Sequence, residues 1–271
     1  MTRSPIALVK AHALGNDFLL AEAAALEGLE PGRFARRVCD RHRGVGADGL
    51  MTLEETADGA RTRLFNADGG EAELSGNGLR TAAAWLARTR GLRPGARLVL
   101  DTAVGPRTFE VLAADDTRHT LRAFMGQPQS LRRETIPLDP APVHAVTLNM
   151  GNPQCVVLGP ATAERLRTLG PALATHPMFP AGTNVEFAEV EHPNRIRMLI
   201  WERGVGPTEA SGTGACAAAV AAAFAGTASR TVDVSSPGGT QHVEWADEGV
   251  FLTGWAEIVA RVEWYGADAD P

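Results

Sequence analysis

Short runs in which apolar and polar residues partly alternate, separated by turn residues, make up most of this chain. In the first half they are "ALVKAHAL", "GLMTLEE", "RTRLFNA", "RLVLDTA" and "RTFEVLAA". The second half adds "HAVTLNM", "QCVVLG", "NVEFAEVE", "IRMLIWE", "RTVDVSS", "QHVEWA" and "GVFLTGWAEIVARVEW". A two-residue period bounded by turn signals predicts strands. Helical stretches are fewer, over about 31–41, 79–90, 161–174 and 215–225. The proline-rich, polar stretch "MGQPQSLRRETIPLDPAP" (125–142) predicts a linker between the halves.

One pattern occurs twice. "ELSGNGLRTAAAWLA" (73–87) returns as "EASGTGACAAAVAAA" (209–223), with Ser75 and Ser211 set 136 residues apart. The match runs upstream without gaps and sets Phe65 against Trp201, Asn66 against Glu202 and Glu73 against Glu209. A repeat of this length predicts a duplicated unit built of a strand, a glycine-rich loop and a helix. Alanine is the strongest helix former, and an Ala-rich helix carries little polar surface, so each is expected inside a sheet. The predicted fold class is α/β (α+β), with two pseudo-symmetric domains, each a sheet wrapped around a central Ala-rich helix. The expected domains are residues 1–124 together with about 260–271, and residues 125–259.

Composition narrows the function. The 271 residues are 44% hydrophobic and 21% charged, the usual mix for a globular protein with a buried core. The net charge is -6 with no basic run, which argues against nucleic acid, since phosphate binding needs clustered Lys and Arg. Three cysteines, Cys39, Cys155 and Cys216, are too few and too odd for a disulfide framework. No N-terminal stretch reads as a signal peptide and no apolar run would span a bilayer, so a cytoplasmic protein without a membrane partner is expected. The sequence leaves room for a homodimer.

The two Ser-Gly-x-Gly turns carry the candidate chemistry. A serine before a helix is a preferred N-cap, because its oxygen accepts a free backbone N–H. On that reading Ser75 and Ser211 are caps and nothing more. A glycine-rich turn at a helix start also leaves outward N–H groups and partial positive charge, a small site for a carboxylate or phosphate. If the two domains face each other across a cleft, both helix ends could grip one small substrate. A side chain on each side of it suits inversion at a stereocentre, where one group removes a proton and its partner returns one.

The chain resembles the diaminopimelate epimerase family. The resemblance rests on "KAHALGNDF" (10–18), "CDRHRGVGADGL" (39–50), "LFNADGGEAELSGNG" (64–78), "MGNPQCVV" (150–157), "GTNVEF" (182–187) and "WERGVGPTEASGTGACAAA" (201–219). It implies a two-domain, epimerase-like fold with a pseudo-twofold axis, no cofactor, and proton abstraction and return at the α-carbon of a small amino acid, diaminopimelate by default. Asn16, Asn66, Asn152 and Asn184 match the substrate-holding asparagines, and Glu202 and Arg203 match the Glu-Arg pair. Arg203 suits a carboxylate through its two-pronged guanidinium. Gly76 and Asn77, with Gly212 and Thr213, match the backbone turns expected to hold the reacting carboxylate.

The chain departs from the family where the chemistry lies. The resemblance implies cysteine at both acid/base positions, and this chain has Ser75 and Ser211. Gln154 replaces the usual histidine, and Thr81 is a further departure. A thiolate is reachable near neutral pH at a helix N-terminus. An alkoxide is not, and a serine needs an adjacent base. Glu202 is the titratable candidate left in the set, although it can equally bind a substrate amine or pair with Arg203. Three readings stay open: an epimerase with altered chemistry using Ser75, Ser211 and Glu202; a non-catalytic relative that binds an amino acid; and a dehydratase or isomerase with different acid/base groups.

Other motifs carry less. "GVGADG" (44–49) fits Gly-x-Gly-x-x-Gly but lacks a preceding strand and a following helix, so it is read as a loop near the substrate or under it, which Asp48 fixes through its own backbone. The seven histidines, His12 and His42 among them, have no metal-ligand spacing and are read as packing or hydrogen-bonding groups. No metal site is expected. Trp85 and Trp201 are read as core.

Overall fold

The computed structural model describes residues 4–72 and 75–266. Glu73 of the repeat and the chain ends assigned to the first domain lie outside the described residues. The chain divides into two compact units, Met1–Arg122 with Trp255–Pro271, and Ala123–Gly254.

The first unit opens with a hairpin of β1 (Ile6–Ala13) and β2 (Asn16–Glu22). Its two-residue turn holds Leu14 at φ 55° and Gly15 at φ 86°, the positive values that match a turn to the twist of the strands. Leu14 pays for that backbone with full burial of its side chain. A crossover containing α1 (Pro31–Val38) leads to β3 (Gly49–Glu55), parallel to β2. Next come β4 (Gly59–Asn66), antiparallel to β3, and the short β5 (Glu71–Ala72), which folds back on β4. After α2 (Gly76–Thr89), β6 (Arg97–Thr102) joins β4 in parallel and β7 (Gly105–Ala114) pairs with β6. β8 (Arg118–Gly126) follows.

The second unit follows the same path. After β9 (Gln129–Ile136), β10 (Val143–Asn149) pairs antiparallel with β11 (Pro153–Leu158). A crossover containing α3 (Ala163–Ala174) leads to β12 (Asn184–His192), parallel to β11. β13 (Arg195–Glu202) and β14 (Gly206–Thr208) add antiparallel. After α4 (Gly212–Ala225), β15 (Thr231–Ser236) joins β13 in parallel and β16 (Gly239–Ala246) pairs with β15. β17 (Gly249–Trp264) pairs first with β16 and, further along, with β1.

Each unit is a sheet with a helix on either face, and the Ala-rich helix lies in the inner layer. α4 is buried continuously from Gly212 to Ala222 and packs on Val146, Val156, Met198, Val234 and Leu252. A helix apolar on every side belongs in a core. α2 is likewise buried, with Ala82, Ala83, Ala84 and Ala87 at 0% exposure. Alternation along β12 separates the layers: Val185 and Phe187 enter the core beneath α3, and Ala188 enters the core around α4. Among the described residues no helix is long and apolar enough to cross a membrane.

Two expectations are corrected. The stretch 125–142 is not a plain linker, because β9 lies within it and pairs along β10. Its polar residues face solvent, and Pro128 and Pro137 bound the strand rather than interrupt it. Both inner helices start earlier than propensity suggests, at Gly76 and Gly212. Glycine is unfavourable inside a helix, yet these glycines form the first turn, which a serine cap closes.

Candidate active site

In both units the residues singled out from the sequence gather where the Ala-rich helix begins. In the first, Asn16 opens β2, Asn66 closes β4, and Ser75 caps α2 with Gly76 and Asn77 in the first turn. Ser75 has extended backbone (φ -135°, ψ 119°), and its Oγ accepts the N–H of Gly78 at 3.1 Å. Asn77 is buried, and its Oδ1 accepts from Arg80 at 3.1 Å. Thr81 is fully buried and donates to the Gly78 carbonyl at 2.7 Å, which closes the first turn. Ser75 also borders a cavity of about 180 Å³ within this unit, lined by Met51, Leu64, Ala72 and Leu79 among others.

Asn16 is held by an ionic network. Its Nδ2 donates to Asp48 Oδ2 at 2.7 Å, and the Asp17 N–H donates to the same oxygen at 3.1 Å. Arg41 bridges Asp48 (2.7 Å) and Asp17 (2.8 Å), and Lys10 also donates to Asp17. Burial opposes ionisation of Asp17, but the hydrogen bonds and charges of Arg41 and Lys10 outweigh it and hold the carboxyl at about 2. The expectation for Asp48 is therefore corrected: its carboxylate, besides taking Arg41 of its own loop, holds the Asn16–Asp17 segment. The Gly-x-Gly-x-x-Gly stretch follows α1 and runs into β3, the reverse of a dinucleotide loop.

In the second unit, Asn184 opens β12, Glu202 closes β13 with Arg203 next to it, and Ser211 caps α4 with Gly212 and Thr213 in the first turn. Ser211 repeats the geometry of Ser75, with φ -137°, ψ 131° and its Oγ accepting from Gly214 N at 3.2 Å. The Thr213 hydroxyl lies 3.5 Å from that oxygen. Asn184 Oδ1 accepts the backbone N–H of Arg203 at 2.9 Å, while the Arg203 guanidinium donates to the Ala181 carbonyl at 2.8 Å. Asn152, just before β11, accepts from the buried Gln154 side chain.

No thiol stands in for the serines. Cys39, Cys155 and Cys216 are buried thiols. Burial pushes the Cys39 thiol up to about 12, and burial with the nearby Glu186 pushes Cys155 higher still. Among the described residues no group of three or more His, Cys, Asp or Glu is placed to hold a metal ion. His12 accepts from Gly15 N at 3.2 Å and packs edge-on against Trp255.

The sequence reading missed Glu186. It lies on β12 at 0% exposure, and neither carboxyl oxygen makes a hydrogen bond among the described residues. Burial and then the charge of Glu202 push its carboxyl well above the usual carboxylate range; its own backbone N–H opposes this without outweighing it. In "NVEFAEVE" the two-residue period sends Glu186 to the face opposite Val185 and Phe187, which reads as solvent. That face is instead covered by α4. The usable signal was a carboxylate in the segment pairing with two apolar strands.

Comparison with solved structures defines the class of fold. The chain matches a probable proline racemase from Agrobacterium radiobacter K84 with TM-score 0.72 and 16% identity, covering 98% of this chain and 94% of that one. A hydroxyproline epimerase from Agrobacterium vitis matches with TM-score 0.72 and 15% identity over 97% and 93%. A phenazine biosynthesis protein of the PhzF family from Bacillus anthracis matches at 0.70 and 15% over 96% and 99%. These likenesses establish the fold alone. The sequence is more specific: the pattern of the diaminopimelate epimerase family matches residues 8–131 and 146–259. A diaminopimelate epimerase of Desulforudis audaxviator is 45% identical over 95% of this chain and 99% of that protein, and one of Pelotomaculum thermopropionicum is 40% identical over 94% and 97%. The chain belongs to the diaminopimelate epimerase family, a family of isomerases.

Proposed function

We propose that this protein is an amino-acid epimerase that works without a cofactor, with diaminopimelate as its default substrate, in the cytoplasmic supply of lysine and cell-wall precursor. The observation that carries this reading is the repeated cap: Ser75 and Ser211 have matching backbone and matching Oγ acceptor bonds at the starts of two fourteen-residue helices. A cap oxygen that accepts an N–H keeps its own hydrogen for a second partner. Each serine is thus a proton donor beside N–H groups that have no intrahelical acceptor and suit the α-carboxylate. Arg203 takes a carboxylate, Asn16, Asn66, Asn152 and Asn184 hold the rest of the substrate, and Glu202 is the candidate base.

α-Proton exchange tests this. LL- or meso-diaminopimelate is incubated with the protein in heavy water and the α-proton signal followed by NMR, beside Ser75→Cys/Ser211→Cys. Exchange with inversion by the natural chain is the expected result. Exchange by the double cysteine variant alone would favour an amino-acid-binding protein on an enzyme scaffold. Silence from both would refute the substrate.

A further inference from the structure

The duplication allows a position-by-position comparison of the sheet beneath each serine. Leu50 stands opposite Phe65 and Val185 opposite Trp201, so the next residues, Met51 and Glu186, are equivalent. Met51 stands opposite Leu64, which also faces Ala72; Glu186 stands opposite Ile200, which also faces Thr208. Phe18 and Gln154 occupy the matching place on the adjoining parallel strands. The floor beneath Ser75 is therefore Phe18, Met51, Leu64 and Ala72. Beneath Ser211 it is Gln154, Glu186, Ile200 and Thr208.

Each polar member of the second floor has at least one buried atom without a partner. Gln154 Oε1, both oxygens of Glu186 and Thr208 Oγ1 are buried and make no hydrogen bond among the described residues. Buried polar groups are nearly always satisfied, and an unsatisfied set at one place calls for an explanation. Packing does not supply it, because the first unit fills the same places with apolar residues. A Cβ built on Gly78 would lie 3.0 Å from Met51 Cε; on the equivalent Gly214 it would lie 3.1 Å from Glu186 Oε1 and 3.2 Å from Ser211 Cβ. Because Gly214 has no side chain, the Glu186 carboxyl, Ser211 and Ile200 Cδ1, the last at 2.7 Å, all approach the place its Cβ would take.

We propose that Glu186 is the proton reservoir of Ser211, feeding its hydroxyl a proton and recovering one as the substrate α-carbon is protonated and deprotonated. This rests on the epimerase reading above. Burial keeps Glu186 neutral at rest, so the Ser211 side acts first as the acid. Glu202, the candidate base, takes the α-proton from one face, and the Ser211 Oγ–H bond breaks as a new Cα–H bond forms on the other face of the carbanion. A bridging water takes the Glu186 Oε proton as it gives one of its own to Ser211 Oγ, so a new Ser211 Oγ–H bond forms and Glu186 is left as carboxylate. The reverse sequence removes an α-proton on that side and restores the acid. No free alkoxide is required, which meets the need of a serine for an adjacent base. Glu186 acts through Ser211 and does not itself touch the substrate.

The test compares the natural chain with Glu186→Gln and Glu186→Met, using diaminopimelate in heavy water, with exchange and inversion followed separately and a melting curve for each variant. General acid–base help of this kind is worth about 10²–10⁴-fold. Both variants should invert slower by a factor in that range, with KM nearly unchanged and melting temperature not lowered. Exchange without inversion should persist for the epimer whose proton leaves on the Ser75 side. Inversion at the natural rate by Glu186→Met would overturn the proposal while leaving the epimerase reading intact. So would a loss of kcat and KM together with a lowered melting temperature, the mark of a structural role. A natural chain that neither exchanges nor inverts would overturn the epimerase reading, and the reservoir with it.

Discussion

Replacing Glu186 by methionine should stabilise the protein while it impairs it. The equivalent position in the first unit already holds Met51, with Cε 3.0 Å from the Cβ site of the helix glycine, so a methionine fits this place in the fold. The natural carboxyl is fully buried with both oxygens unpartnered. An unsatisfied buried polar group costs about 1–3 kcal/mol, and methionine removes that cost without adding a branch. For a unit of this size each kcal/mol moves the melting temperature by roughly 3–6 °C, so a rise of several degrees is expected near pH 5. The gain should widen as pH rises. Glu186 is raised in the folded state, so between its unfolded value, about 4.3, and its folded value the native chain holds a proton that the unfolded chain has lost. Over that window the natural protein loses up to about 1.4 kcal/mol of stability per pH unit, and Glu186→Met does not. Melting curves by circular dichroism at several pH values measure the difference. A variant that melts below the natural protein, or a gap that does not grow with pH, would refute the account of Glu186 as a buried neutral acid without partners.

Two further predictions concern the helix glycine and the ionic network. Gly214→Ala should destabilise more than Gly78→Ala: the new Cβ meets Ile200 Cδ1 at 2.7 Å in the first case, against flexible Met51 at 3.0 Å and the Phe18 ring at 3.3 Å in the second. The overpacking cost of about 1–3 kcal/mol exceeds the helix gain of about 1 kcal/mol only where the neighbour cannot give, and urea denaturation of both variants checks the order. Asp17, held at about 2, stabilises the first unit above its unfolded value, and that stability should fade as pH drops from about 4 toward 2. Arg41→Ala should remove part of this acid dependence, by less than about 2 kcal/mol because Arg41 is 55% exposed, and acid titration of the melting temperature reads it.

Much of this architecture is legible in the sequence because repetition and periodicity are local signals. The Ser-Gly-x-Gly repeat gives both inner helices and their caps, and alternation gives twelve of the seventeen strands described, missing β2, β5, β8, β9 and β14. β9 was hidden because its residues are polar and flanked by proline, and a solvent-facing strand has no apolar face to announce it. Asn16, Glu202 and Ser211 were visible through motifs. Glu186 was not, because alternation tells which side of a strand a residue faces but not what covers that side. The role of Asp48 was missed for a related reason, since its partners Asn16 and Asp17 lie more than thirty residues away and only the pairing of β2 with β3 brings them near.

The two units also test each other. They share a strand path, the length of the inner helix, its cap and the glycine that admits the floor residue, so a difference between them at an equivalent buried position is a choice the scaffold does not impose. Unit one takes the apolar choice at Phe18, Met51 and Ala72. Unit two takes the polar choice at Gln154, Glu186 and Thr208 and leaves four polar atoms unsatisfied. Natural sequences hold such local conflicts mainly where function requires them. An apolar floor also denies Ser75 any buried relay, so a proton taken on its side must leave through another group. On the proposal made above, the chemistry of this chain is lopsided: Ser211 is backed by an acid that can be recharged, and Ser75 is a cap with a hydroxyl to lend.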